Sequence, residues 1–430
     1  MRPAGTDLRP SSQDRGAEVS QTIVVGAGII GTAIAYQLQR RGETVVLLDR
    51  NEPGTGASYG NMASIAVTEF MPASRPGIWV QMPGWMLDPE GPVRIRPSYM
   101  PKLIPWFLRF LSASRPSKLR ELESAGAVLC RRVYEDLDAL LDETGLRHMI
   151  SAEGCLSVYT DEAEFRADHE HIEILDRFGF RYEVLGSNAI RDLEPAITTK
   201  IGKAVLFPDN RSIANPYELV VALADQFKKL GGSVQTGEVV GFEHEGGGVS
   251  AVGLKDGRRI EAGRVVLAAG AFTGRLSAML GEPIPLETER GYHTQIQAPG
   301  VSMRHSLIWP ARAFMVTPTA GGIRVGGTVE MAGLDAAPDY RRAKVLVKRA
   351  REALPELQVE GVTEWMGHRP AMPDTVPVMG RSAKRTNVWY ATGHGHLGLT
   401  YGATTARLMT DLITGVAPPV DMKPYRVDRF

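Results

Sequence analysis

The apolar residues of the chain change period several times, and each change marks an element. Residues 22–25 (Thr-Ile-Val-Val) are a short β-branched run of the kind found in strands buried on both faces. An apolar-periodic stretch over 29–41 predicts a helix, which Gly42 ends. Residues 44–48 repeat the strand signature and close on Asp49-Arg50. Much later, a helix is predicted over 216–230 with Asn215 as its N-cap, leading into Gly231-Gly232-Ser233-Val234 and a strand at 238–242. Alternating strands then flank the Asp256-Gly257 turn, and the last of them, 264–270, runs into Ala271-Phe272-Thr273-Gly274. A final block reads as a strand at 388–391, a glycine-rich stretch over 392–400 and a helix to about Ile413.

The first three segments make a complete β-α-β unit around Gly26-x-Gly28-x-x-Gly31. The three glycines act differently. Gly26 permits the tight turn, Gly28 lets backbone approach a pyrophosphate, and Gly31 allows close packing of helix on strand. The helix N-terminus offers its positive end to phosphates. Asp49, 18 residues beyond Gly31, is placed to accept ribose hydroxyls. The later strand-glycine-helix blocks follow the same logic, so the nucleotide domain is expected to be discontinuous.

Length and composition narrow the class. At 430 residues the chain is long for a single core, and two domains are expected. With 43% hydrophobic and 23% charged residues it has the balance of an ordinary globular protein. Lys plus Arg (49) equals Asp plus Glu (49), so no global field attracts nucleic acid, and a ligand must be recognised locally. Cys130 and Cys155 cannot build a disulfide framework and lack metal-ligand spacing, which fits a reducing compartment and a cytoplasmic address. Residues 1–20 carry no apolar signal core and read as a disordered tail. No apolar run is long enough to span a bilayer. Between 71 and 114, Met71, Trp79, Met82, Trp85, Met86, Trp106, Phe107 and Phe110 are interleaved with Pro and Arg. Two readings stand: a plate lying on the inner face of a membrane, or an excursion packing on its own protein.

With these blocks in view, the chain resembles the D-amino-acid oxidase superfamily of FAD enzymes over nearly its whole length from Ile23. The likeness is greatest to the D-amino-acid dehydrogenase branch, D-hydroxyproline dehydrogenases included. The glycine motif with Asp49-Arg50 resembles the family's ADP-binding start, and Ala57-Ser58-Tyr59-Gly60-Asn61-Met62-Ala63-Ser64 its flavin-facing loop. Val239 falls at an adenine-contacting valine, and Leu267-Ala268-Ala269-Gly270 at a second glycine motif. Gly367-His368-Arg369-Pro370-x-x-Pro373-Asp374-x-x-Pro377-x-x-Gly380 resembles the C-terminal signature.

The resemblance implies an α/β fold. It comprises a discontinuous, Rossmann-like FAD-binding domain of glutathione-reductase type (21–70, 195–282 and 365–430) and an α+β substrate domain with a mixed or antiparallel sheet (71–194 and 283–364). Cofactor contacts are expected from Gly26, Gly28, Ile29, Ile30, Gly31, Asp49, Arg50, Ser58, Asn61, Met62, Ala63, Ser64, Val239, Ala269 and Gly270. The late loop is expected to add His394, Gly395, Leu397, Gly398, Leu399 and Thr400, its amides stabilising negative charge on the flavin pyrimidine. The family's covalent attachment points are missing, since Gly60 stands at the early position and no cysteine follows Cys155. The FAD is therefore expected to be noncovalent.

In the family, the signature arginine pairs with the substrate carboxylate, and Arg369 holds that position; a planar guanidinium matches a carboxylate in geometry and charge. Tyr292 and His293 are candidate substrate or flavin contacts, or ordinary strand residues with satisfied polar tips. His396, like His394, either faces the substrate or shapes its loop. A metal at this pair is rejected for want of further ligands.

The implied reaction is oxidation of a D-amino or D-imino acid, D-proline or cis-4-hydroxy-D-proline among them, with hydride transfer from Cα to flavin N5 giving an imino acid. It needs no dedicated base if the amine arrives neutral. Handedness rests on the resemblance alone. The electron acceptor is left open between a quinone, an electron-transfer partner and O2. Two rivals are a glycine or sarcosine-type amine oxidase on the same fold and a flavin-binding subunit without catalysis. An NAD dehydrogenase is disfavoured by the late glycine-helix block.

Overall fold

The computed structural model describes residues 21–76, 84 and 90–430. The tail over 1–20 and the side chains of Trp79, Met82, Trp85 and Met86 lie outside the described residues.

Thr22–Val25 is buried at every position between two parallel neighbours, Val45–Asp49 and Arg264–Leu267. Its lack of polar alternation follows, because neither face meets water. The sheet around it has six strands in the order Val378–Arg381, Val388–Thr392, Arg264–Leu267, Thr22–Val25, Val45–Asp49, Ser233–Thr236. All neighbours run parallel except the outer pair, Val378–Arg381 against Val388–Thr392. Segments far apart in the chain thus supply one sheet. Ile29–Arg40 packs against both Pro216–Lys229 and Gly402–Ile413. Asn215 caps the second of these helices, its side chain accepting the Tyr217 and Glu218 amides.

A larger sheet follows the path Glu360–Ala371, Glu287–Ala298, Gly322–Met331, Phe314–Thr319, Ser306–Trp309, Ile150–Tyr159, Lys203–Ile213, Ser64–Ile65. Its pairings are mostly antiparallel, with Ser306–Trp309 parallel to Ile150–Tyr159. The fold is thus α/β with a mixed second sheet. The expected domain limits need correction here. Lys203–Ile213, Ser64–Ile65 and residues 365–371 belong to the larger sheet, although the expected limits put them in the nucleotide domain. Strand membership is set by the hydrogen-bonding partner, which for Lys203–Ile213 is Ile150–Tyr159, and local pattern does not reveal a partner.

Within Met100–Ala113, Trp106 and Phe110 are buried with stacked rings 5.2 Å apart, and Trp106 Nε1 donates to the Ala371 carbonyl at 3.3 Å. This part of the aromatic series packs on its own protein, while Ile104 and Leu108 are exposed. No helix among the described residues is long and apolar enough to cross a membrane.

The tightest point of the nucleotide unit is Gly31. A Cβ there would lie 1.8 Å from the Gly26 carbonyl oxygen, a backbone atom that cannot swing aside. We therefore expect Gly31→Ala to cost roughly 1–3 kcal/mol by overpacking and to lower FAD content. Urea unfolding of the apoprotein and the flavin-to-protein absorbance ratio check both.

Candidate active site

The site begins with two neighbouring strands of the larger sheet. Glu287–Ala298 and Glu360–Ala371 pair antiparallel with Glu289 opposite Arg369, Gly291 opposite Gly367, and His293 opposite Trp365. Side chains alternate along a strand, so these six residues share one face. That face floors a cavity of ≈ 830 Å³ reaching to the glycine motif of the first strand. The two glycines at its centre make room for the large groups beside them. A Cβ on Gly291 would sit 2.4 Å from the Arg369 guanidinium, and one on Gly367 would sit 1.9 Å from the Trp365 indole. The guanidinium and the indole therefore lie across bare backbone.

The charges on this floor are set by burial. Desolvation lowers the pKa of Arg369, with Glu289 opposing, and raises that of Glu289, with Arg369 opposing and Glu287 adding. His293 stacks on Trp365 at 5.2 Å, and its Nδ1 lies 2.7 Å from the Gly60 carbonyl. Burial, with help from Arg324, brings its pKa down to about 3. His396 is brought down to about 4 by burial and the Arg369 charge. The surface it exposes faces the cavity, so desolvation governs it although the side chain is not packed over. His394 donates to or accepts from Thr405 Oγ1 at 3.0 Å, and burial brings it to about 3. All three rings are neutral at physiological pH.

Around the other end, Gly26, Gly28, Ile29 and Ile30 line the cavity, while Gly31 lies behind them against Gly26. The Asp49 carboxylate accepts the Ala27 amide at 2.7 Å and the Asn51 amide at 3.0 Å, tying the end of its strand to the glycine turn. Arg50 lies over the Phe272 ring at 3.8 Å. Ser58 Oγ accepts the Ile29 amide at 3.0 Å, fastening the 57–64 loop to the helix N-terminus. Asn61 Oδ1 accepts the Ala63 amide at 2.8 Å, which holds Ala63 at φ 57, a left-handed conformation uncommon outside glycine. Asn61, Met62 and Ser64 reach the cavity and Ala63 does not; Val239, Ala269 and Gly270 line its far wall.

The late loop supplies His394, Gly395, Leu397, Gly398 and Leu399 to the cavity. Gly395 donates its amide to the Pro370 carbonyl at 2.8 Å, fixing the loop to the strand that carries Arg369. Two expectations change here. The helix starts at Gly402, so residues 397–399 meet the cavity as loop and turn before a helix. Thr400 is not at the cavity wall; its Oγ1 accepts the Ala66 amide at 3.0 Å.

Tyr292 needs a further correction. Only its backbone can border the cavity, because strand alternation sends the ring to the opposite face, where it is 1% exposed. There its hydroxyl donates to Glu330 and accepts the Asp339 amide at 2.9 Å. Glu330 also meets Arg96 at 2.7 Å and Arg290 at 3.1 Å. The phenol is thus a member of a buried ionic network and is not free for substrate.

Four cavity or near-cavity residues escaped the sequence reading. Trp365 and Glu289 lie on the same-face positions flanking Gly367 and Gly291, a period-two signal that was legible next to Arg369 and His293. Glu69 lines the cavity from the 66–70 stretch, and Arg324 donates to the Asn61 carbonyl from a strand without a motif. Neither carried a local signal. Among the described residues no cluster could hold a metal ion.

The cavity fits a dinucleotide. Gly270 (φ 53) and Gly395 (φ 54), from blocks far apart in sequence, turn backbone to it where a Cβ would meet no protein atom. The helix N-terminus at Gly28–Ile30 and the Asp49 carboxylate stand at one end, as pyrophosphate and ribose require.

Residues 21–412 match the family of FAD dependent oxidoreductases designated DAO. The chain is 33% identical over 421 residues to a D-amino-acid oxidase of Bradyrhizobium diazoefficiens, covering 95% of this chain and 98% of the relative. It is 30% identical over 415 residues to a D-amino acid dehydrogenase of Xanthobacter autotrophicus, with 95% and 98% coverage. Among solved structures, glycine oxidase from Geobacillus kaustophilus superposes with a TM-score of 0.72 at 20% identity, over 96% of this chain and 99% of that one. L-proline dehydrogenase from P. horikoshii gives 0.71 at 21%, over 96% and 97%. These two likenesses establish the fold. The cofactor is FAD.

The floor geometry has a direct test. Gly291→Val should displace the Arg369 guanidinium and lower kcat/KM by about 10²-fold, the scale of a misplaced binding group, with FAD retained. Because His293 and His396 are already neutral, the kcat/KM profile should carry no histidine step between about pH 5.5 and 8. Steady-state kinetics across that range checks both.

Proposed function

Since the chain belongs to the DAO family of FAD dependent oxidoreductases, we propose that it is an enzyme oxidising the Cα–N bond of a D-amino acid to an imino acid. One observation carries the assignment of roles: a guanidinium and a carboxylate, Arg369 and Glu289, stand opposite each other across the cavity floor.

An α-amino acid carries its carboxylate and its ammonium on one carbon. Arg369 takes the carboxylate, and its planar fork fixes the orientation of Cα. Glu289 then faces the amino nitrogen. Its raised pKa suits it to accept an N–H proton, which frees the nitrogen lone pair to form the C=N bond as the α-hydrogen leaves with its bonding electrons. Glu289 thereby changes the expectation that no acid-base group takes part. FAD, when bound, supplies the two-electron acceptor for that hydrogen. His293, Trp365 and His396 contribute neutral surface that excludes water without adding charge. The imino acid adds water and releases ammonia after leaving the site.

The glycine oxidase fold neighbour keeps a glycine or sarcosine-type amine oxidase as the second reading. Anaerobic bleaching of the flavin by matched D- and L-amino acids, glycine and sarcosine separates the two. D-amino acids should bleach fastest; faster bleaching by sarcosine or glycine than by every D-amino acid overturns the proposal. The rate of reoxidation in air against a quinone then assigns the acceptor. Glu289→Gln should lower kcat/KM at pH 7 by about 10²-fold. That deficit should shrink as the pH passes the substrate amine's pKa, where no proton remains to be removed. A deficit constant with pH would leave Glu289 a positioning role alone.

A further inference from the structure

The inference rests on the D-amino-acid reading above and concerns which side chain the site accepts. Three carboxylate or guanidinium side chains outside the nucleotide end line the cavity: Arg369, Glu289 and Glu69. The histidines beside them are neutral. An α-amino acid brings one carboxylate and one ammonium, which Arg369 and Glu289 match. Glu69 is left over.

Burial raises its pKa, with His171 opposing, Asp168 adding and Arg75 opposing, so a cation brought by a ligand shifts it toward the charged form. The Glu69 carboxylate has no hydrogen bond or ion pair among the described residues. The cations nearest behind it are already engaged: His171 Nδ1 lies 3.8 Å from Asp168, its Nε2 is 2.9 Å from the Thr68 carbonyl, and Arg75 meets Glu170 at 3.3 Å. Glu69 lines the same cavity as His396 and Arg369. A carboxylate enclosed without a partner is costly, and that cost is relieved when a ligand brings a cation.

We propose that the substrate is a D-amino acid with a cationic side chain, of the lysine or arginine class, whose terminal ammonium or guanidinium pairs with Glu69. The ligand's charges then mirror the site: one anion on Arg369, two cations on Glu289 and Glu69. A proline-like substrate supplies no second cation and leaves Glu69 unmatched, so the charge pattern disfavours the cyclic imino acids expected from the resemblance. Specificity here is a difference between charged and neutral ligands of equal size, which an unpaired carboxylate facing the cavity generates efficiently.

The test compares D-arginine with D-citrulline, which keeps arginine's shape and replaces the guanidinium by a neutral urea. With the holoenzyme, kcat/KM for D-arginine should exceed that for D-citrulline by at least about tenfold, the scale of one charged hydrogen bond. The ratio should collapse in Glu69→Gln and recover in part in Glu69→Asp. D-Lysine against D-norleucine should repeat the pattern, mostly in KM. Should Glu69→Gln fail to hold FAD, the wild-type ratios decide alone. D-Citrulline turned over as well as D-arginine overturns this inference while the D-amino-acid reading survives. If L-arginine, glycine or sarcosine outpaces every D-amino acid, the underlying reading fails and takes this one with it.

Discussion

The site depends on keeping a guanidinium and a carboxylate under cover, opposite each other, without letting them cancel. Arg369 and Glu289 are cross-strand neighbours, close enough for each to shift the other's ionisation, yet they form no direct ion pair. A closed salt bridge would leave neither group available to a ligand. The glycine at 291 prevents closure by giving the guanidinium room to lie along the sheet. Both groups therefore remain exposed to the cavity, and the energetic cost of burying them is relieved when a zwitterion brings the complementary charges.

The reverse face of the same strand solves a different problem. Arg290 is fully buried there and shares Glu330 with Arg96 and the Tyr292 hydroxyl. One carboxylate serving two guanidiniums and a phenol makes a rigid back to the floor, because losing any member leaves a buried charge uncompensated. Alternation along a single strand thus separates a buried, ion-paired network, in which Arg290 Nε has no hydrogen-bond partner, from an ionic site open to the cavity. The first holds the second in place.

The two sheets meet through loops that each have two anchors. The 57–64 loop is tied to the first helix by Ser58 and to the floor by His293 on the Gly60 carbonyl. The 393–400 loop is tied to the floor by Gly395 on Pro370 and to the early segment by Thr400 on Ala66. Nucleotide and substrate ends are consequently positioned against each other by hydrogen bonds and not by chain continuity. The neutral histidines fit this plan, since a protonated ring beside Arg369 would compete for the same anion.

The first β-α-β unit, its three glycines and Asp49 were legible in the chain alone, because tight turns and helix-strand contacts over a few residues constrain residue type locally. Arg369 was legible through its motif, and the helix starting after Asn215 through its cap. Partnership was not. That Lys203–Ile213 joins the larger sheet, that Tyr292 turns away from the cavity, and that Glu69 reaches the cavity wall are all outcomes of pairing between distant segments. Residue type and spacing act over one or two turns of chain. Which face of a strand meets a cavity, and which buried charge lacks a partner, depends on what the rest of the fold places opposite it.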